Sequence, residues 1–362
     1  MKKIISVVLV LISILTLTAC TKYKPQKSTK EESETALTLS IGETKYDVPY
    51  EVYRTFFLNY RDVIDGGDHS VWQGAEKDKY IKDIESVIIP EIAEIYSVFH
   101  LCKELGIDIY SKIVEESIED YITVSVEGGT LDGMRIDGYG GDYKAYLEGL
   151  KKLNMNYSVQ KLLFRYAVCS ALLDEYYKDK NDDGSLKYTK EDVRAYYDSE
   201  DTVRVIYNFF DRSIPISAEI NTDERVAKIR EGMLERAGDE NAVASYIISE
   251  TALTEDVRDG MVISRYSLDD TYYSELIDAA LELGMFAVSE PLILNSGAVE
   301  GVYLLYRTGK SSDHFNRCYS EIEKAYVSEM IGKKLDGIKS ELAQSAEKSD
   351  SLLSRDYSSI GM

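Results

Sequence analysis

The sequence predicts an α+β protein: a mostly helical body into which a small mixed domain is inserted. Three observations carry this. Apolar residues recur at helical spacing from Val52 to Tyr177, and again from Phe315 to Leu342. Between Val203 and Arg307, period-two runs alternate with helical ones in the order strand, helix, strand, helix, strand. The stretch Tyr188–Phe210, YTKEDVRAYYDSEDTVRVIYNFF, joins the two regimes. Its Thr189 is a candidate N-cap with Asp192 as reciprocal acid, and Val193, Tyr196 and Tyr197 share one helical face. From Val203 the period becomes two: Val203, Val205, Tyr207 and Phe209 face one way, and Arg204, Ile206, Asn208 and Phe210 the other.

The chain begins with a targeting segment. Lys2 and Lys3 precede the apolar run Ile4–Thr16, which is too short for a membrane span. Leu17-Thr18-Ala19-Cys20 follows as a lipobox, so residues 1–19 read as a lipoprotein signal peptide and Cys20 as the lipidated residue. Residues 20–36 are rich in Lys, Glu, Ser and Thr and read as a flexible tether. A helical domain is expected over 37–198. It opens on the alternation Leu37, Leu39, Ile41, a turn at Gly42-Glu43, and a helix striped by Val52, Phe56 and Tyr60. Lys77–Leu105 is a long amphipathic segment that Pro90 is expected to kink or split. A helix around Ser111–Ile122, a glycine-rich loop Gly128–Gly141, and helices over Tyr143–Leu153 and Ser158–Lys178 follow. The irregular glycines lack the strand–helix context of a phosphate loop. The small domain is expected over 199–308, one long helix over 312–346, and a polar, frayed tail over 347–362.

Length and composition suit two domains with sizeable cores: 362 residues, 44% hydrophobic and 29% charged. The net charge of −22 argues against a nucleic-acid partner, which needs a basic footprint. With Cys20 assigned, Cys102, Cys169 and Cys318 do not make a disulfide framework, and the first two sit in apolar helical patterns as small core residues. The 29 tyrosines suggest a Tyr-lined groove for loose binding of unfolded chains, with plain core burial as the alternative. Asp179-Lys180-Asn181-Asp182-Asp183-Gly184 matches the first half of a calcium loop. Its twelfth position is Lys190, a solvated interhelical loop is the alternative, and no metal site is assigned.

Three stretches carry a family resemblance. Thr189–Tyr197 has the form T-x-E-[DE]-V-x-x-Y-Y. Leu37–Phe57, LTLSIGETKYDVPYEVYRTFF, gives a short strand, a small turn and a helix. LELGMFAVSEPLILNSGAVEGVYLLYR carries Leu281, Gly284, Ser289 and Pro291, then Gly301-Val302-Tyr303-Leu304-Leu305. Over Leu37–Ala346 the chain resembles the parvulin-type prolyl isomerase and chaperone lipoproteins of the SurA/PrsA foldase group. The resemblance implies a helical chaperone domain, an inserted parvulin-like domain, and a last helix packing back onto the N-terminal helices. It implies location outside the cytoplasm, anchored to the membrane by lipid, with unfolded or secreted polypeptides as partners and no cofactor. It places Tyr207 and Tyr303 where the family carries histidines, and lines a proline pocket with Tyr272, Leu276 and Leu281. Gly260 is what remains of a glycine pair.

The departures shape the expected function. The only histidines are His69, His100 and His314, so 199–308 contains none, and it contains no cysteine. Isomerisation must cross a barrier of ~18–20 kcal/mol by twisting the amide without breaking a bond. Tyrosines can hydrogen-bond there but do not reproduce imidazole chemistry. The expectation is a membrane-anchored foldase or chaperone whose parvulin-like domain has weakened or lost activity. An active peptidyl-prolyl isomerase and a non-catalytic lipoprotein with one fixed envelope partner are the alternatives.

Overall fold

The structure is a computed structural model that describes residues 23–131, 134–178, 181, 186–211, 222–251, 253, 255–267, 270–295 and 300–360. The signal segment, Cys20 and, apart from Asn181, the Asp179–Gly184 loop therefore lie outside the described residues. In chain order the elements are β1 (Thr35–Ile41), β2 (Thr44–Pro49), α1 (Tyr50–Asp65), α2 (Lys77–Glu104), α3 (Lys112–Glu127), β3 (Gly129–Leu131) and β4 (Met134–Ile136). Then come α4 (Tyr143–Lys152), α5 (Tyr157–Lys178), α6 (Lys190–Asp198), β5 (Val203–Asp211), α7 (Thr222–Glu235), α8 (Glu240–Glu250) and β6 (Met261–Ile263). The chain ends with α9 (Asp270–Glu282), β7 (Leu292–Asn295), β8 (Glu300–Thr308), α10 (Ser312–Arg317), α11 (Tyr319–Gln344), β9 (Glu347–Lys348) and α12 (Asp350–Leu353). Helix and sheet are thus mixed, with helix predominant. Two compact units result: Tyr177–Gly332, and the residues on either side of it.

In the outer unit, β1 and β2 form a hairpin in which Ile41 pairs with Thr44, and Gly42 takes the positive φ (+54°) that so short a turn requires. Ala36, Leu37 and Leu39 of β1 are buried. Of the expected kink or split at Pro90, the split does not occur: α2 runs as one helix through it. Proline costs one backbone bond there, while Ile84, Ile88 and Ile92 stay fully buried on both sides of it and hold the helix together. The glycine-rich segment contains the β3–β4 hairpin, where Thr130 pairs with Arg135; three residues per strand leave no periodicity to read.

Both polar termini of this unit are ordered where flexibility was expected. Tyr23 stacks on Tyr143 at 5.1 Å and its hydroxyl donates to Glu127. At the other end β9 adds to β1 (Leu37 with Lys348), and Leu352, Tyr357 and Ile360 are buried. Composition hid this, because a few apolar residues among many polar ones suffice to anchor a segment. Cys102 and Cys169 are buried, the Cys102 thiol donating to the Cys169 carbonyl at 3.7 Å. Many of the tyrosines, among them Tyr50, Tyr53, Tyr96, Tyr121 and Tyr146, are also core.

The unit Tyr177–Gly332 is built on a four-stranded antiparallel sheet of order β6-β5-β8-β7. The alternation expected on β5 sorts its side chains. Ile206 and Phe210 join Val302, Leu304 and Tyr306 against α7 and α8, whose Ile229, Met233, Val243 and Ile247 fill that layer. Val203 and Val205 join Leu305 against Leu276, Ile277 and Ala280 of α9. Helix α8 and strand β7 were not expected from the sequence. The unit also reaches beyond 199–308 on both flanks. Thr189 and Asp192 close a full capping box on α6, and Tyr196 donates to Ser264 at 3.0 Å, tying α6 to the sheet. The expected single helix 312–346 is interrupted at Cys318, so α10 and α11 are separate, and α11 begins in this unit and ends in the other.

Candidate functional site

Strands β5 and β8 pair with Phe209 opposite Tyr303 and Tyr207 opposite Leu305. Odd-numbered side chains on both strands point toward α9, so Tyr207, Phe209 and Tyr303 converge at one end of that face. The Tyr207 and Tyr303 ring centres are 6.3 Å apart, and Phe209 and Tyr303 4.7 Å apart. Tyr273 of α9 meets Tyr303 edge-on at 6.4 Å. Leu281, Leu292 and Leu294 pack around them, partly buried. Phe209 keeps 36% of its surface exposed, so the cluster opens to solvent at that end. The glycine at 301 makes room: a Cβ there would come within 2.0 Å of the Phe209 ring.

The site is made of aromatic rings and phenolic hydroxyls. Burial, reinforced by hydrogen-bonded Tyr273 and nearby Tyr207, pushes the Tyr303 phenol well above its usual range. It is a neutral donor and acceptor at physiological pH, and neither general base nor nucleophile. Such a cluster can stack on an apolar side chain or a proline ring and hydrogen-bond an amide.

The residues expected at this site fare differently. Tyr207 and Tyr303 come together on adjacent strands. Leu276 is 2% exposed and packs between α9 and the sheet. Leu281 is partly buried at the margin of the same cluster. The side chain of Tyr272 lies outside the described residues. Tyr273 and Phe209 are the residues sequence reasoning missed. Both signals were present: Tyr273 stands three before Leu276 on the helical stripe, and Phe209 two after Tyr207 on the strand.

The landmark motif around Ser289 has a backbone role. Ser289 donates its N–H to the Leu305 carbonyl (2.8 Å), and its hydroxyl accepts the Leu305 N–H (2.9 Å). It thereby pairs with β8 before β7 begins. The turn ahead of it puts the positive φ (61°) on Phe286 rather than on Gly284. Gly260 is constrained as well: φ is +64°, and a Cβ would meet the Val205 carbonyl oxygen at 2.5 Å.

The opposite end of β5 and β8 is polar. Arg204, 2% exposed, donates to the carbonyls of Asp259 (3.0 Å), Gly309 (3.0 Å) and Arg258 (2.6 Å) and pairs with Glu240 (2.8 Å). His314 of α10 faces the Tyr197 hydroxyl through Nδ1 (2.9 Å) and the Asp259 carbonyl through Nε2 (2.7 Å). That carbonyl can only accept, which places the proton on Nε2. Burial, with Arg204 and Arg317 adding to it, lowers the His314 pKa to about 4.

The outer unit holds a concavity of about 850 Å³. Tyr46, Tyr96, Phe99, Tyr110, Tyr157 and Arg165 are among its lining residues. Arg165 lies over the Tyr110 ring at 4.5 Å and pairs with Glu115. Asp62, Asp65 and His69 offer three ligand atoms within 4.8 Å of one another. Asp65 is already engaged by Trp72 Nε1 (2.7 Å), the Gly67 N–H (2.8 Å) and His69 Nδ1 (2.8 Å), a set that staples the end of α1. Among the described residues no helix is long and apolar enough to cross a membrane.

No family profile and no curated protein matches the chain. Among solved structures it is similar to the foldase protein PrsA of Lactococcus lactis, at 11% identity and a TM-score of 0.26, over 91% of this chain and 99% of that one. It is also similar to the foldase protein PrsA of Streptococcus pneumoniae, at 13% identity and a TM-score of 0.30, over 79% and 93% of the two chains.

Proposed function

We propose that this chain is a membrane-anchored, extracytoplasmic chaperone of the foldase type. Its sheet unit binds client polypeptides in an aromatic cleft and carries little or no prolyl isomerase activity. The observation that supports this reading is the pairing of Tyr207 and Tyr303. Two positions nearly a hundred residues apart in sequence stand 6.3 Å apart on neighbouring strands, and each matches a family histidine. In this reading the two tyrosines take the place of the family's histidine pair within an apolar surround. His314, the nearest histidine in sequence, is buried and committed to Tyr197 and Asp259. The Tyr-lined concavity of the outer unit gives a second surface on which an unfolded chain can rest large side chains.

Catalysis would require holding the proline while the amide loses conjugation. Aromatic walls can hold the ring, but no group described in the cleft switches charge near neutral pH. Binding therefore outlasts chemistry in this reading. The intact chain should suppress aggregation of a thermally unfolded client at near-stoichiometric ratios. Tyr207→Ala/Phe209→Ala should weaken that suppression several-fold with secondary structure unchanged. Suppression confined to one native envelope protein, and absent for unrelated clients, would favour the fixed-partner alternative.

A further inference from the structure

The ordered segment that follows the signal region has a consequence for how the outer unit meets a membrane. We infer that the face formed by α4 and the extended segment 23–30 is a docking surface for an anionic lipid bilayer. The inference rests on the lipid anchor at Cys20 for its geometry and on an independent charge pattern for its chemistry.

Tyr23 is three residues on from Cys20, a stretch that fully extended reaches about 11 Å. Tyr23 is fixed: its ring stacks on Tyr143 at 5.1 Å, its hydroxyl donates to Glu127 at 2.7 Å, and Tyr143 donates to the Lys24 carbonyl at 2.9 Å. Farther along, Ser28 bonds Ser158 (2.8 Å) and donates to Glu51 (2.6 Å). The segment is therefore pinned beside the first residue of α4 and again beyond its last. An acyl chain on Cys20 would hold this face, not a long flexible leash, next to the headgroups.

The chemistry agrees. In a chain of net charge −22, this face gathers Lys24, Lys27 and Lys30 from the segment and Lys144, Lys151 and Lys152 from α4, all exposed. Lys144 and Lys151 are seven apart, on one side of the helix. The neighbouring acids are themselves bonded, two of them within this face: Asp142 caps α4 and Glu148 pairs with Lys151, while Glu31 pairs with Arg355 and Glu32 accepts the Thr29 N–H. Leu153 (57% exposed) and Tyr139 (42% exposed) add apolar contact at the same helix. Tyr139 crosses α4 over Gly149, where a Cβ would meet its hydroxyl at 1.9 Å. Lysines with interspersed exposed apolar groups suit a surface of anionic headgroups.

The test uses the mature chain without an acyl group, Cys20→Ser, so that anchor and surface are measured apart. Co-sedimentation with vesicles of equal phosphatidylglycerol and phosphatidylcholine at low salt should be at least tenfold tighter than with phosphatidylcholine alone, and should weaken as salt rises. Lys144→Glu/Lys151→Glu/Lys152→Glu should remove most of that preference, while Lys79→Glu/Lys82→Glu on α2 should leave it intact. No preference for anionic vesicles, or equal losses from the two sets, would overturn the inference. A chain that is not acylated would show itself in membrane fractionation of the precursor and would leave the vesicle result standing.

Discussion

Strands β5 and β8 carry two opposite ways of finishing a sheet. At one end, a buried polar cluster around Arg204 and His314 satisfies its donors with backbone carbonyls from two loops and binds α6 and α10 to the strands. At the other, Tyr207, Phe209 and Tyr303 lie half-open to solvent, with a glycine beneath one ring and a helix edge beside another. The polar end is over-determined, because each of its groups costs free energy if its partner is lost. The aromatic end is held by non-directional contacts that tolerate rearrangement. The contrast teaches how one sheet divides its contacts: directional polar bonds fix one end, and aromatic packing leaves the other open to solvent.

The comparison is broken most sharply at Arg204. Arg204→Met keeps the bulk but leaves Glu240 and three buried carbonyls without their guanidinium. A loss of about 3–5 kcal/mol is expected, read from urea unfolding of the intact chain. A loss below about 1 kcal/mol would show that the polar end is not the clamp.

His314 comes next. Its folded pKa of about 4 lies below the ordinary value of 6.5, so the fold favours the neutral ring. The unfolded chain then binds the extra proton first, and stability rises with pH in that interval. The stabilisation is complete above about pH 6.5 and falls away as pH drops toward 4, by on the order of 2–3 kcal/mol. His314→Gln should flatten that part of the stability–pH curve while the carboxylate-dependent part below pH 4 persists. An unchanged slope would remove His314 from the cluster.

The smallest effects on stability belong to the aromatic end. Tyr303→Phe and Gly301→Ala should each cost less than about 1 kcal/mol, since one removes a half-buried hydroxyl and the other moves a ring with room to swing. Gly301→Ala should nevertheless change client binding through the displaced Phe209, visible as altered aggregation suppression at unchanged melting temperature. A large stability loss from either would make this end part of the core.

Much of this contrast was legible in the sequence. The capping box at Thr189 marked the start of α6 and the change of period at Val203 sorted β5 onto two faces, although the unit itself begins earlier, at Tyr177. What was missed has physical causes. Strand β7 is four residues at the sheet edge, too short for a pattern. The ordered tail depends on Leu352, Tyr357 and Ile360, isolated in a polar stretch and anchored only by tertiary contacts. The polar cluster joins residues from positions 197 to 317, and nothing local marks Arg204 as buried. Leu276 was read for its apolar character as a pocket residue, and its side chain packs under the sheet with Ile277 and Ala280.

The claim on which the account turns is that the cleft binds without catalysing, and a proline-peptide isomerisation assay on the intact chain tests it most directly. Uncatalysed isomerisation takes tens to hundreds of seconds, which leaves a wide window for detecting modest acceleration. The account predicts a rate close to the uncatalysed one, unchanged by Tyr207→Phe or Tyr303→Phe, from the same preparation that suppresses client aggregation. Turnover comparable to a histidine-bearing parvulin, abolished by either substitution, would contradict it and make the tyrosine pair a rebuilt catalytic site.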